Sequence, residues 1–160
     1  MTKKGSLVVV GTGILIGGDI SVRAKAQISQ ADIVFFTVPD DISKQWINSL
    51  NPNTIDLAEH YADGKSRLVT YNNMTESIVD AVKGGKNVCA AFYGHPGVFV
   101  YASHQAIKIL RSSGYNAHME PGISAEDCLF ADLNIDPAAS GCMSIEATQF
   151  LFYQRSFDPY

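Results

Sequence analysis

Short apolar runs alternate along the chain with longer segments whose apolar positions recur every three or four residues. Residues 6–10, 32–38 and 88–92 are almost continuously apolar, the pattern of strands buried on both faces. Shorter runs at 54–57, 115–119 and 144–147 predict three more strands. Helical spacing is clearest over 71–82, where Met74, Ile78, Val79 and Val82 fall on one face and Gly84-Gly85 closes the segment. Helices are also expected over 21–30, with Asp19 or Ser21 as N-cap, and over 42–50, after the turn Pro39-Asp40-Asp41. Two further helices are expected over 99–112, stopped by Gly114, and over 124–133. The last opens Ser124-Ala125-Glu126-Asp127, a cap followed by carboxylates near the positive helix end. Alternating strand and helix predicts an α/β fold, a mostly parallel sheet with helices on both faces.

The stretch over 88–100, VCAAFYGHPGVFV, stands out within this pattern. A buried strand runs into Tyr93-Gly94-His95-Pro96-Gly97 and then into a helix start. Gly94 and Gly97 admit a positive φ or close approach of another molecule to the backbone. Pro96 fixes its own φ and pushes His95 away from helix. A rigid loop at the carboxyl end of a central strand is where open α/β sheets bind ligands. From the residues alone it reads equally as a plain turn with a surface histidine.

Composition narrows the function classes. A chain of 160 residues is of single-domain length and can bury a sizeable core. It is 46% hydrophobic and 18% charged with a net charge of −4, and no Lys/Arg cluster exceeds Lys3-Lys4, which argues against nonspecific nucleic-acid binding. Cys89, Cys128 and Cys142 lack zinc-ligand spacing, so no metal is expected. An odd cysteine count without a disulfide framework fits a reducing cytoplasm, and Cys89 reads as a small core residue. No stretch approaches the ~20 apolar residues that span a bilayer. Lys3-Lys4 before an apolar run imitates a signal peptide, but the run is short, glycine-broken and followed by Asp19. Phe150, Phe152, Tyr153, Phe157 and Tyr160 crowd the last eleven residues, so the end is expected to pack on a partner or on a missing segment. The expected organisation is one domain over 1–147, with 148–160 the start of a linker or second domain.

The loop Gly11-Thr12-Gly13-Ile14-Leu15-Ile16-Gly17 invites a dinucleotide reading that fails on detail. GxGxxG needs its third glycine at position 16, where Ile16 stands, so a nucleotide-binding oxidoreductase is disfavoured. The runs YGHPGVFV and EPGISAEDCLFADLNIDP, with DGKSR and Tyr71 ahead of them, carry a more specific signal. Together they resemble the tetrapyrrole-methylase superfamily of S-adenosylmethionine enzymes. Within it they are most similar to the borosin-type peptide backbone α-N-methyltransferases. The resemblance covers essentially the whole chain and is most specific over 93–136. Where general tetrapyrrole methylases carry GDP, this chain has Gly94-His95-Pro96, a departure that favours a peptide over a corrin or porphyrin.

The resemblance implies roles for individual residues. Tyr93, Gly94, His95, Pro96 and Val98 would line the S-adenosylmethionine site, with Ser124 and Ala125 holding the cofactor from the other side. Gly11-Thr12-Gly13 would form the floor of the cleft. Tyr61, Arg67 and Tyr71 match the family's catalytic constellation. The residue types suit the chemistry. A peptide nitrogen is a poor nucleophile because resonance ties up its lone pair. Charge must grow on the carbonyl oxygen, which an arginine can stabilise without losing a proton. A tyrosine can donate to that oxygen, or act as base if a nearby cation lowers its pKa.

Each role has a plainer counterpart. Asp63-Gly64-Lys65-Ser66 alone is a solvated turn, and Tyr61 alone is a packing residue. His60, His104 and His118 are isolated and read as structural or exposed. Glu126 and Asp127 serve the helix dipole, and Asp132 and Asp136 are turn or cap residues. The expected partners are a precursor peptide, fused or separate, and a second copy in a homodimer. The competing readings are methylation of a tetrapyrrole or other small molecule, and an inactive, truncated cofactor-binding module.

Overall fold

A computed structural model of the chain describes residues 4–153. Among these residues five strands build one parallel sheet: β1 (Ser6–Gly11), β2 (Ile33–Thr37), β3 (Thr54–Asp56), β4 (Asn87–Phe92) and β5 (Asn116–Met119). The strand order is β3-β2-β4-β1-β5, which puts β4 in the centre. The helices between them are α1 (Val22–Gln30), α2 (Asp41–Leu50), α3 (Arg67–Lys83) and α4 (Tyr101–Ser112). A 3-10 turn over Leu57–His60 follows β3, and α5 (Ala125–Leu133), α6 (Pro137–Ser140) and α7 (Ala147–Tyr153) follow β5. The described residues form two compact units that divide between Ala125 and Glu126.

The strand order dictates the layers. The steps β1 to β2 and β2 to β3 run one way across the sheet, and β3 to β4 and β4 to β5 run the other. Right-handed crossovers therefore place α1 and α2 on one face and α3 and α4 on the opposite face. The core shows this split. Val8, Val10, Val34, Phe36, Cys89 and Ala91 pack with Ala24, Ile28 and Ile47 of α1 and α2. The alternate strand positions, Leu7, Val9, Phe35, Val88 and Ala90, pack with Met74, Ile78, Ala106 and Leu110 of α3 and α4. Successive strand residues serve opposite faces, which is why these strands read as unbroken apolar runs. Each fully buried Leu or Ile, such as Leu7, Ile28 and Ile78, contributes roughly 1.5–3 kcal/mol.

The α/β class and the alternation agree with the sequence reading, and several boundaries differ. The segment 144–147 is not a strand. Its last residue opens α7, and the Glu146 carboxylate accepts from Gln149 N–H at 2.8 Å to start that helix. β3 ends at Asp56, and Leu57 opens the 3-10 turn instead. α3 begins at Arg67, four residues earlier than its apolar spacing predicts. Ser21, not Asp19, caps α1, accepting from Ala24 N–H at 3.0 Å. Asp136, one of the two expected turn or cap residues, accepts from Ala138 N–H at 2.9 Å to open α6. Phe150, Phe152 and Tyr153 lie in α7, the last two exposed, while Phe157 and Tyr160 lie outside the described residues.

Candidate functional site

The chain leaves β4 toward the α4 face, whereas it leaves β1 and β2 toward the α1/α2 face. Loops that part in opposite directions open a crevice at the carboxyl ends of the strands. A cavity of about 300 Å³ sits there. Its walls come from the ends of β2 and β4, the loops after β1 and β4, the start of α3 and the turn before α5.

The loops after β1 and β4 are tied together. Gly94 N–H donates to Gly13 O at 2.8 Å, and Gly13 N–H donates back to Gly94 O at 3.3 Å. The approach is close enough to require glycine. A Cβ on Gly11 would lie 2.3 Å from Gly94 O and 2.8 Å from Pro96 Cδ. Gly122 packs into the same junction, where its Cβ would meet Gly94 O at 3.0 Å. Pro96 is buried here and does not line the cavity.

The rest of the β4 loop is fixed by side chains. His95 Nδ1 accepts from Gly97 N–H at 3.0 Å, so the neutral ring carries its proton on Nε2. Ser103 Oγ donates to Pro96 O at 2.7 Å, in reach also of Val100 O, and His104 Nε2–H donates to Gly97 O at 2.8 Å. Between these clamps Phe99 is held at φ +56°. An aromatic residue in the left-handed region is strained and persists only where its surroundings impose it. Phe99 is 68% exposed and lines the cavity.

Tyr61, Arg67 and Tyr71 meet at the opposite wall. The early start of α3 puts Arg67 and Tyr71 one turn apart on the same helix face. Tyr61 follows the 3-10 turn, and its ring stands edge-on to Tyr71 at 6.5 Å. The Arg67 guanidinium lies 5.0 Å from the centre of the Tyr61 ring. Tyr71 in turn stacks on Tyr101 of α4 at 6.1 Å. A cation in the first turn of a helix opposes the dipole and costs about 0.3–1 kcal/mol. Ser66 makes no side-chain cap to offset it. Burial pushes the Tyr61 hydroxyl above its ordinary pKa, Tyr71 adds to the rise, and Arg67 opposes it less strongly. A tyrosine base activated by the nearby cation is therefore not what Tyr61 offers; its protonated hydroxyl is a donor.

Of the residues the sequence singles out, Tyr61, Tyr71, Tyr93, Gly94, His95, Val98, Ser124 and Ala125 line the cavity. Arg67 is exposed and stands behind Tyr61 rather than in the wall. Sequence reasoning missed Thr37 and Tyr101, while His104 is the exposed, structural histidine that the sequence suggests. Thr37 ends an otherwise apolar strand, lines the cavity and has a buried hydroxyl with no hydrogen-bond partner among the described residues. A lone hydroxyl closing a buried strand is the one signal that points to it. Nothing local marks Tyr101, whose partner Tyr71 lies on another helix.

Comparison with known proteins adds to this geometry. The sequence profile of the Tetrapyrrole (Corrin/Porphyrin) Methylases matches residues 6–153. A protein of Dendrothele bispora named methyltransferase/ribosomally synthesized cyclic peptide dendrothelin A precursor is 50% identical over 154 residues. The methyltransferase/ribosomally synthesized cyclic peptide omphalotin A precursor of Omphalotus olearius is likewise 50% identical over 154 residues. In both, the match covers 96% of this chain and 37% of the relative, so the chain spans little more than a third of these proteins. Among solved structures, the cobalamin biosynthetic enzyme cobalt precorrin-4 methyltransferase aligns with a TM-score of 0.60 at 20% identity, over 82% of this chain and 51% of that one. That likeness shows the fold.

Proposed function

Because the chain belongs to the tetrapyrrole (corrin/porphyrin) methylase family, we propose that it is the cofactor-binding portion of an S-adenosylmethionine-dependent methyltransferase acting on the backbone amides of a ribosomally made precursor peptide. The observation that carries the reading is the meeting of Tyr61, Arg67 and Tyr71 beside the cavity that ends β4. The names of relatives sharing half of its residues point to peptide precursors and not to a corrin or porphyrin.

The cavity suits the donor. Its volume of about 300 Å³ reaches the lower end of the range for small-molecule sites. The orphaned Thr37 hydroxyl offers a polar contact that the fold leaves unused. His95, whose Nε2–H is a donor, lines the cavity, and Ser124 lines it as well. When bound, S-adenosylmethionine supplies a methyl group on a positively charged sulfur.

The chain's own residues do the rest. The Tyr61 hydroxyl, backed by Arg67 5.0 Å from its ring, stabilises the negative charge that grows on the substrate's carbonyl oxygen as the amide moves toward an imidate. Tyr71, braced by Tyr101, fixes the amide against the donor, since alignment supplies much of the rate in such a transfer. Tyr61 and Tyr71 would hold the amide against the donor, and the amide proton would pass to solvent water as the nitrogen accepts the methyl group. A precursor fused to the enzyme or encoded separately, a homodimeric assembly and a cytoplasmic setting belong to the same proposal.

The test uses the full-length protein with its precursor peptide and S-adenosylmethionine. Mass spectrometry is expected to show additions in methyl steps on backbone nitrogens. Arg67→Ala should lower kcat by about 10²–10³-fold, and Tyr71→Phe should slow the reaction strongly, while both variants still bind S-adenosylhomocysteine in calorimetry. Wild-type rates in both would refute the catalytic assignment. Absence of S-adenosylhomocysteine binding to the wild-type protein would refute methyl transfer altogether.

A further inference from the structure

A second cavity, of about 240 Å³, lies across the Gly13–Gly94 bridge from the first. We propose that it is a subsite for one apolar side chain of the peptide substrate, and that it selects which amide nitrogen meets the methyl donor. The proposal rests on the peptide-methylation reading above.

The two cavities share walls. Ile14 and Tyr93 line both, so whatever fills the second abuts whatever fills the first. The remaining walls that matter are Ile16, Val38, Pro39 and Trp46. The volume falls below the ~300–1,000 Å³ of sites that enclose whole small molecules, and is on the scale of a side chain. The hydroxyls of Ser43 and Thr12 in this wall are already engaged. Ser43 Oγ donates to Asp40 at 2.8 Å, and Thr12 Oγ1 lies 3.4 Å from two backbone carbonyls. Among the described residues no Lys, Arg or His lines the space, so an acidic side chain would enter without a countercharge, whereas an aliphatic or aromatic one would fit.

The loop after β1 is built to face this space. Gly13 takes φ +72°, and a Cβ there would sit 2.1 Å from Asp19 Cβ. The Asp19 carboxylate accepts from Ile14 N–H at 3.1 Å and Leu15 N–H at 2.7 Å. Gly17, at φ +68°, lies against the Trp46 indole. This scaffold holds three consecutive apolar residues in water, with Ile14 46%, Leu15 66% and Ile16 40% exposed. Such a run is disfavoured on a free surface unless something contacts it. In an extended peptide successive side chains alternate sides and residues advance about 3.3 Å. A nitrogen placed over the first cavity therefore puts the side chain of its own or the adjoining residue at the second.

The test is calorimetric titration of the full-length protein, loaded with S-adenosylhomocysteine, against synthetic peptides cut from the precursor. The peptides differ only in Ile, Phe, Ala or Asp at the position adjoining the methylated nitrogen. Wild-type protein should bind the Ile and Phe peptides at least about tenfold more tightly than the Asp peptide. Ile16→Trp, which fills the cavity mouth, should abolish that preference. Trp46→Ala, which enlarges the cavity, should shift it toward Phe, and S-adenosylhomocysteine affinity should stay unchanged in both. Peptide binding with the same preference in wild type and Ile16→Trp would overturn the subsite and leave the methyl-transfer reading standing. Binding of S-adenosylhomocysteine with no binding of any peptide would overturn the peptide reading and the subsite together.

Discussion

Tyr61 shows how a single side chain's surroundings decide what it can do. Burial, and then its neighbour Tyr71, hold its hydroxyl protonated beyond the ordinary tyrosine value of 10.0, against the weaker pull of Arg67. In the native state the group thus keeps its proton over a pH range where the unfolded chain has lost it. The unfolded state then binds fewer protons, so stability falls as pH rises through that range. The expected outcome is that the urea midpoint declines between about pH 9 and 11, bracketing an ordinary tyrosine, and declines less steeply in Tyr61→Phe. Equal slopes in the two proteins would mean that Tyr61 titrates as it does in water. Phe99 makes the complementary point with backbone instead of charge. Its positive φ lies between the Gly97 and Val100 carbonyls, which His104 and Ser103 of the following helix hold. Local strain of this kind collects where a loop must be shaped for something other than stability.

At the scale of elements, Asn51 carries more than its place in a turn suggests. It is buried at the end of α2, and its Nδ2 donates to Ile28 O and Ala31 O, each at 2.9 Å. Its Oδ1 accepts from Asn53 N–H at 2.9 Å just before β3. One amide thus joins the carboxyl end of α1, the carboxyl end of α2 and the entry to β3. Asn51→Ala leaves two carbonyls and one N–H without that partner and should cost about 2–4 kcal/mol in urea unfolding. A loss below about 1 kcal/mol would mean water replaces the amide. The same residue marks the limit of what the sequence shows. Asn51-Pro52-Asn53 is legible as a turn from its residue types, but Ile28 and Ala31 lie more than a turn's reach away along the chain. The strands and their burial are legible because two-sided burial makes continuous apolar runs. The strand order is not, because pairing joins segments far apart. The start of α3 is hidden for a local reason: Arg67 puts a cation in the first turn, against the usual signals of a helix beginning, and outweighs Ser66, a residue type that caps helices. The glycine-rich face of the site is legible in the loop over 93–97. Its Thr37 and Tyr101 walls are not, since each is one ordinary residue on a separate element.

For the whole molecule, the central strand is both the core and the support of the site. β4 is paired on both sides, its Cys89 lies between Val8 of β1 and Val34 of β2, and its last residue leads into the cavity loop. Opening the site by separating β4 from its neighbours would therefore expose Cys89, whereas motion of the loops alone would not. The thiol is a natural reporter of this difference. It is fully buried, and burial first, then the charge of Glu120, push its pKa far above the ordinary thiol range. Reaction needs a solvated thiolate. Iodoacetamide applied to the native protein should modify the exposed Cys142 and leave Cys89 intact. Across a urea series, Cys89 labelling should rise at the same midpoint as the loss of far-ultraviolet circular dichroism, because no part of the sheet can expose it alone. Labelling of Cys89 at urea concentrations well below that midpoint would show that the sheet opens locally beneath the cavity. The site would then be a mobile element of the fold and not a loop cluster on a rigid one.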